Sequence, residues 1–357
     1  VEEELISPEA GQKAIRKRLD FKPKRADSLW AGPYFTEHVR RHLEEAFGEE
    51  LLYKKGLKVY TTLDVDMQKA ANLAVREGLR EHDKRRGYRG PKRVLKTDEE
   101  IEAFRAETAR RFVYDPIKAG EIYEGVITYV NTRDMALRVA IGDRIGAVTT
   151  ADMEWAKLYN ATNEPDGGRQ AELKTLFHKG EIIEVQVKSM PPGKNAIIPL
   201  RLVQEPMAQA SLMAMEPETG MVRAMVGGAD FAKTHFNRAT QAQRQPGSSF
   251  KPIIYTAAID SGYTPATIVI DSPLVFDDTV KDEAWRPRNY DEQFYGPTTV
   301  REALAKSRNI ITIKILKDIG IEHAVTYARA LGITSPLAKD LSLALGSSAV
   351  TLSEMTT

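Results

Sequence analysis

Between Glu121 and Val203 the chain changes period. The runs "EIYEGVITYV", "MALRVAIG", "RIGAVTT", "EIIEVQVKSM" and "AIIPLRLV" are short and alternate apolar with polar residues, and turn residues and one polar Asn/Asp/Gly loop separate them. Several short strands at close spacing predict a small β-barrel or sandwich, a unit that closes its own core. The charge-dense, Gly/Pro-punctuated stretch "REHDKRRGYRGPKRVLKTDEE" leads into it and cannot form a core. Residues 81–205 therefore read as an inserted β domain, and a chain of 357 residues that is 42% hydrophobic is long enough for two or three domains.

The flanks read differently. In "GPYFTEHVRRHLEEAFG", Phe35, Val39, Leu43 and Phe47 recur at helical spacing before Gly48, which predicts an amphipathic helix stopping at the glycine. "GLKVYTTLD" then reads as a short strand, and Asp64 can cap a helix with Met67, Ala70, Ala71, Ala74, Val75 and Leu79 on one face. After the insert, "ASLMAMEPETGMVRAMVGG" is a hairpin signal around Pro217 and Gly220, and beyond Ser248 the pattern is mainly helical. A strand and helix at 57–80 and a hairpin with helices at 206–357 can complete one α+β domain interrupted by the β module.

Composition narrows the chemistry. With 51 basic against 50 acidic residues, the charge balance gives no reason to expect nucleic acid. The absence of cysteine removes disulfides, thiol catalysis and Cys-based metal sites, and it fits an oxidising compartment. His38 and His42 stand at metal-ligand spacing on a helix, but "HVRRH" places two arginines between them and lacks a metalloprotease's glutamate, so no metal is expected. The basic run from Lys84 to Lys96 reads as a solvated inter-domain loop, and Met207, Met213, Met215, Met221 and Met225 read as packing residues. No stretch approaches the ~18 apolar residues of a membrane span. The missing starting Met and the uncapped end at Thr357 suggest a piece of something longer.

Two short elements carry the chemistry. In "RQPGSSFKP", Ser248 and Lys251 are spaced to share one helix face, whereas Ser249 has Pro252 at the same offset. A serine hydroxyl needs a base, and a lysine serves only when burial or nearby positive charge lowers its pKa. The start of a helix also favours a developing alkoxide. A lone Ser-x-x-Lys is expected by chance, and a turn with an N-cap explains it equally well. Pro252 disfavours helical geometry at Lys251, so an irregular helix is expected there. About sixty residues on, "KSRNI" supplies Ser307 and Asn309, which project together only if the backbone leaves regular helix between them. Asn309 could hold a substrate amide, and Ser307 could relay a proton.

Ser-x-x-Lys followed by Ser-x-Asn is the arrangement of serine β-lactamases and penicillin-binding proteins. The chain closely resembles the bifunctional class A penicillin-binding proteins of the 1A type. "GLKVYTTLDVDMQKAA", "FNRATQAQRQPGSSFKP", "WRPRNYDEQFYGPTTVREALAKSRNI" and "LSLALGSSAVTLSEMT" follow that family's stretches in its order, and "EEELISPEAGQKAIRKRL" resembles the tail of its glycosyltransferase module. The resemblance implies an α+β β-lactamase/transpeptidase-like domain, truncated at its C-terminus and interrupted by a small OB-like β-barrel domain. It divides the chain into 1–56 (end of glycosyltransferase and linker), 57–80 (first strand and helix of the transpeptidase), 81–205 (OB-like insert) and 206–357 (the rest of the transpeptidase). The likeness to an oligonucleotide-binding fold is one of shape and implies no nucleic acid.

By the same resemblance Ser248 is the acyl-accepting nucleophile, Lys251 its general base, and Ser307 and Asn309 the second active-site element, with Trp285 and Tyr290 near the substrate cleft. It implies no cofactor. The implied partners are peptidoglycan stem peptides, β-lactams and cell-wall regulatory proteins reached through the insert. The implied setting is the periplasmic side of a bacterial inner membrane, with the membrane anchor in the parent protein only. The family's Lys-Thr/Ser-Gly element is absent, because the Lys-Thr pairs at Lys96, Lys174 and Lys233 continue with Asp, Leu and His. That absence is expected to leave this stretch slow or inactive alone. The competing readings are a DD-carboxypeptidase or β-lactamase-type hydrolase and a non-catalytic penicillin-sensing or scaffold module.

Overall fold

The computed structural model describes residues 7, 9, 31–131, 136–157, 173–193, 195–278 and 283–357. The stretch likened to a glycosyltransferase tail lies almost wholly outside them, as does most of the Asn/Asp/Gly loop.

The alternating runs form a closed barrel. Strands β2 (Ile122–Asn131), β3 (Ala136–Ile141), β4 (Arg144–Val148), β5 (Glu181–Val187) and β6 (Ile198–Val203) pair in the order β5-β2-β3-β4-β6, and β6 returns to β5. Only the β4–β6 pairing is parallel, and the short β1 (Arg93–Val94) adds outside β5. Leu137, Val139 and Ile141 alternate along β3, Ile183, Val185 and Val187 along β5, and all six join one core with Leu200 and Leu202. The other face is covered too: Val126, Ala140 and Ile182 pack under Ile101 of helix Asp98–Phe112. Burial on both faces explains why the run Val139, Ala140, Ile141 is continuously apolar. Thr97 and Glu100 form a capping box at that helix, which gives the Lys96-Thr97 pair a structural use.

Closure depends on Gly146. A Cβ there would lie 2.3 Å from a Leu200 methyl and 2.8 Å from the Ile198 carbonyl oxygen, so the parallel pair closes only over a glycine. Gly146→Ala is expected to lower the unfolding free energy by about 1–3 kcal/mol, read as a shifted urea midpoint at unchanged slope. An unchanged midpoint would mean that the barrel has room for a methyl group at this position.

Helix Val65–Arg85 joins the barrel to the second domain. Asp64 caps it as expected, but the buried stripe is Gln68, Ala71, Val75, Leu79 and Asp83, while Met67, Ala70 and Ala74 are exposed. The two polar members of the stripe explain the shift. Gln68 acts as a strand partner for β8 (Val222–Val226): its Nε2 donates to the Met225 carbonyl at 3.1 Å, and its Oε1 accepts from the Met225 amide at 2.8 Å. Asp83 ties the two chain crossings, accepting hydrogen bonds from Arg89, from Gln204 Nε2 at 2.7 Å and from the Met207 amide at 3.4 Å. The basic run is thus engaged rather than freely solvated: Arg89 holds Asp83, Lys92 bridges Glu124 and Glu184, and Arg93 covers the Phe104 ring.

One local expectation is corrected. Residues 57–61 form no strand, because among the described residues no strand edge takes them; Leu57, Val59 and Tyr60 are exposed. Of the residues between Leu57 and Asp64, Thr62 and Asp64 reach the backbone of β8. Gly48, with φ 77° and ψ 163°, breaks the span Pro33–Lys54 into two helices, so the first one stops at the glycine as expected. Of the methionines, Met225 is buried and Met213 packs beside it, but Met207 and Met221 lie exposed outside the strands.

The second domain pairs β7 (Leu212–Met215) with β8 as the predicted hairpin, adds two short antiparallel pairs (Ile268–Asp271 with Gly296–Thr299, and Phe276–Asp278 with Glu283–Trp285), and otherwise builds on helices. Phe250, Ile254 and Ala258 pack against Ile311, Ile315 and Leu316 of helix Asn309–Ile319 and against Leu343 and Ala344 of a 3-10 segment. This core fixes where the two sequence elements meet.

Candidate active site

Gly247, with φ 57°, turns the chain into a 3-10 segment, Gly247–Phe250, that passes into helix Lys251–Asp260. Residues three apart eclipse in a 3-10 turn, so Ser248 and Lys251 stack along one side. The irregularity expected from Pro252 is this junction, and Lys251 itself stays helical at φ −55° and ψ −41°. Pro252 lies in the first helical turn, where its missing donor leaves nothing unpaired. A second backbone segment fixes the turn. The Gly247 amide donates to the Gly346 carbonyl at 3.2 Å, and a Cβ on Gly346 would fall 2.1 Å from the Gly247 oxygen, so the close approach excludes every side chain. Arg244 and Val350 continue this contact as an antiparallel bridge.

Ser248 is exposed, whereas Lys251 is only 1% exposed. The lysine Nζ donates to the Ser307 carbonyl at 2.6 Å, the Ser307 hydroxyl at 3.0 Å and Asn309 Oδ1 at 2.7 Å. Helix Val300–Ala305 has ended before this point, and Ser307 sits at φ 53°, in the left-handed region that glycine favours. The next helix begins at Asn309. This break lets residues two apart face the same nitrogen, and a strained non-glycine backbone is held only where its surroundings determine it.

The electrostatics of Lys251 are a contest. Burial pushes its pKa down to about 8, while three acceptors favour the ammonium. The lysine Cε resonance is expected to titrate near about 8, against roughly 10.4 for exposed lysines. Because the folded value is depressed, the unfolded chain holds more protons across that window. Relative to Lys251→Met, stability should therefore rise as pH increases from about 8 to about 10.4, and be lost as pH falls through it. A midpoint near 10 would show that the acceptors outweigh burial.

The structure brings Lys251, Ser307 and Asn309 together, and places Ser248 one 3-10 turn before Lys251 with its hydroxyl in no hydrogen bond among the described residues. It joins neither aromatic to this cluster by a hydrogen bond. Trp285 stacks on Phe276 at 5.3 Å and packs against the helical core, and Tyr290 is 101% exposed. Of the Lys-Thr pairs, Thr97 caps a helix in the insert and Lys233 pairs with Glu205; the Lys174 side chain lies outside the described residues. Arg40 and Arg41 beside His38 and His42 are taken by Glu37.

Sequence reasoning missed Asn289. Its Oδ1 accepts from the Asn309 amide at 2.9 Å and the Ile310 amide at 3.3 Å. It also missed Arg308, which lies 3.4 Å over the Tyr295 ring and pairs with Asp291 at 2.9 Å. These partners are separated along the chain, so no local spacing announces them.

Comparison with known proteins agrees with this architecture. Residues 210–349 match the penicillin binding protein transpeptidase domain, and residues 88–208 match the penicillin-binding protein OB-like domain. The chain belongs to the penicillin-binding proteins. It is similar to penicillin-binding protein 1A of Pseudomonas aeruginosa, at 37% identity over 90% of this chain and 38% of that protein. Similarity to penicillin-binding protein 1A of Neisseria gonorrhoeae is 33% identity over 98% of this chain and 42% of that protein. The crystal structure of penicillin-binding protein 1A from Haemophilus influenzae superposes with a TM-score of 0.72 at 27% identity, covering 99% of this chain and 49% of that one. The chain thus spans about two fifths of the length of the curated relatives it matches.

Proposed function

We propose that the protein carrying this chain is a peptidoglycan cross-linking DD-transpeptidase that works through an acyl-serine at Ser248. The observation that carries this reading is Lys251, buried one 3-10 turn after an exposed serine with its nitrogen between Ser307 and Asn309. An ammonium satisfies all three acceptors around it. A neutral amine keeps two hydrogens for them and has a lone pair free for the Ser248 proton, while the Ser307 hydroxyl can turn to donate.

In the reaction, Ser248 Oγ attacks the carbonyl of the penultimate D-Ala of a stem peptide as Lys251 accepts its proton. The tetrahedral oxyanion forms at the N-terminal end of helix Lys251–Asp260, where backbone amides favour negative charge. The C–N bond then breaks, and the terminal D-Ala leaves with a proton passed back from Lys251 through Ser307. An amine of a neighbouring strand attacks the ester and regenerates the serine. A β-lactam acylates the same hydroxyl, because its strained amide presents a carbonyl to it. None of these steps uses a cofactor.

The same reading makes the parent protein a peptidoglycan synthase with a glycosyltransferase module. It would face the periplasm of a bacterial inner membrane through a single-pass anchor and meet cell-wall regulatory proteins through the insert. No described helix is long and apolar enough to cross a membrane.

Intact mass after incubation with a β-lactam tests the proposal, on this chain and on the full-length protein. The full-length protein should gain one covalent adduct that Ser248→Ala abolishes. Its acylation rate should rise with pH through about 8 and level off above, because the base must be neutral. No adduct on the full-length protein, or an adduct that survives Ser248→Ala, would overturn the assignment.

A further inference from the structure

Helix Asn309–Ile319 begins without a cap of its own, since the residue before it, Arg308, makes no side-chain hydrogen bond to the first turn. Asn289 supplies that cap from twenty residues upstream: its Oδ1 takes the Asn309 and Ile310 amides, and the side chain is only 4% exposed. Its other half is anchored as firmly. Nδ2 donates to Asp271 Oδ2 at 2.8 Å and to the Gln293 carbonyl at 2.8 Å. Asp271 is itself 1% exposed, and its second carboxylate oxygen has no hydrogen-bond partner among the described residues. Among the described residues the amide of Asn289 is therefore the single hydrogen-bond donor to a buried carboxylate, a pairing whose loss is costly.

The residue before Asn289 completes the clamp. The Arg288 carbonyl accepts from Asn309 Nδ2 at 2.9 Å. With its Nδ2 held there, Asn309 can present only Oδ1 to Lys251, because a flipped amide would set two oxygens face to face. The backbone amide and the side-chain amide of Asn309 are thus both fixed by one dipeptide.

We propose that Asn289, anchored by Asp271, is a positioning residue that holds Asn309 Oδ1 on the Lys251 nitrogen. It acts through Asn309 and touches neither the serine nor the substrate carbonyl. The chain Asp271–Asn289–Asn309–Lys251 is continuous, with hydrogen bonds of 2.8, 2.9 and 2.7 Å. This inference rests on reading Ser248 and Lys251 as nucleophile and base.

The test uses the full-length protein and three variants: Asn289→Ala, Asn289→Asp, and Asn289→Asp combined with Asp271→Asn. The Asp substitution keeps the acceptor for the helix amides but sets a second carboxylate against Asp271; the combined change restores a donor opposite it. Two quantities are read for each: the Lys251 Nζ to Asn309 Oδ1 separation in a crystal structure, and the acylation rate constant for a fluorescent penicillin, separated from its initial binding constant. Asn289→Ala should open the separation beyond hydrogen-bonding distance and slow acylation by about ten- to a hundredfold, with initial binding little changed. Asn289→Asp should do the same, and the combined variant should recover most of the rate. A contact that stays intact in Asn289→Ala, acylation at the unaltered rate, or a loss confined to initial binding would overturn the proposal. Should label instead persist after Ser248→Ala, the functional reading falls, while the measured separation still decides whether Asn289 positions Asn309.

Discussion

A lysine ammonium removed from water is the constraint around which the second domain is arranged. Lys251 is fully enclosed, and an unpaired buried charge of this kind is not tolerated. Three acceptors must therefore be delivered to one nitrogen, and two of them belong to Ser307. A regular helix through residues 300–319 would point its carbonyls along its own axis and keep Ser307 and Asn309 on different faces. Helix Val300–Ala305 stops, Ser307 adopts a left-handed backbone, and a new helix starts at Asn309. The broken helix is thus a consequence of where the lysine is buried. The packing of Ile311, Ile315 and Leu316 against Phe250 and Ile254 holds the break in place.

The same constraint separates what the sequence announces from what it hides. The stacking of Ser248 and Lys251 along one side of a turn and the need for a backbone break between Ser307 and Asn309 are legible from spacing, because they depend on residues two or three apart. The barrel is equally legible, since the period-two runs from Glu121 to Val203 record which face of each strand is buried. Long-range pairings leave no such trace. Nothing distinguishes Asn289 from its neighbours until Asp271 and the Asn309 amide are seen around it. Of the aromatics beside it, Trp285 packs against the helical core and Tyr290 is exposed. Strand propensity at residues 57–61 failed for a related reason: the run has the right residues but no edge to pair with among the described residues.

Polar groups do much of the connecting elsewhere in the molecule. Gln68 extends the hydrogen bonding of β8 from a helix, and Glu354 gathers the amides and hydroxyls of Thr334, Ser335 and Thr351 around one carboxylate. Burial pushes the Glu354 carboxyl up, but these hydrogen bonds outweigh it and hold it well below the usual carboxylate range. Each is a side chain satisfying backbone groups that secondary structure leaves open, as Asn289 does for the helix at Asn309. Apolar patterning places the layers, and these side chains set how the layers meet.

The crossing at Asp83 has a further consequence. The chain enters the barrel past Arg89 and leaves it past Gln204, and the Arg89 amide donates to Gln204 Oε1 at 3.2 Å. The two ends of the insert are therefore neighbours in space, although more than a hundred residues of sequence lie between them. A module that enters and leaves at one point can be lengthened, exchanged or bridged by a tight turn without redirecting the chain it interrupts. In this protein the barrel and the serine domain are free to diverge on separate terms.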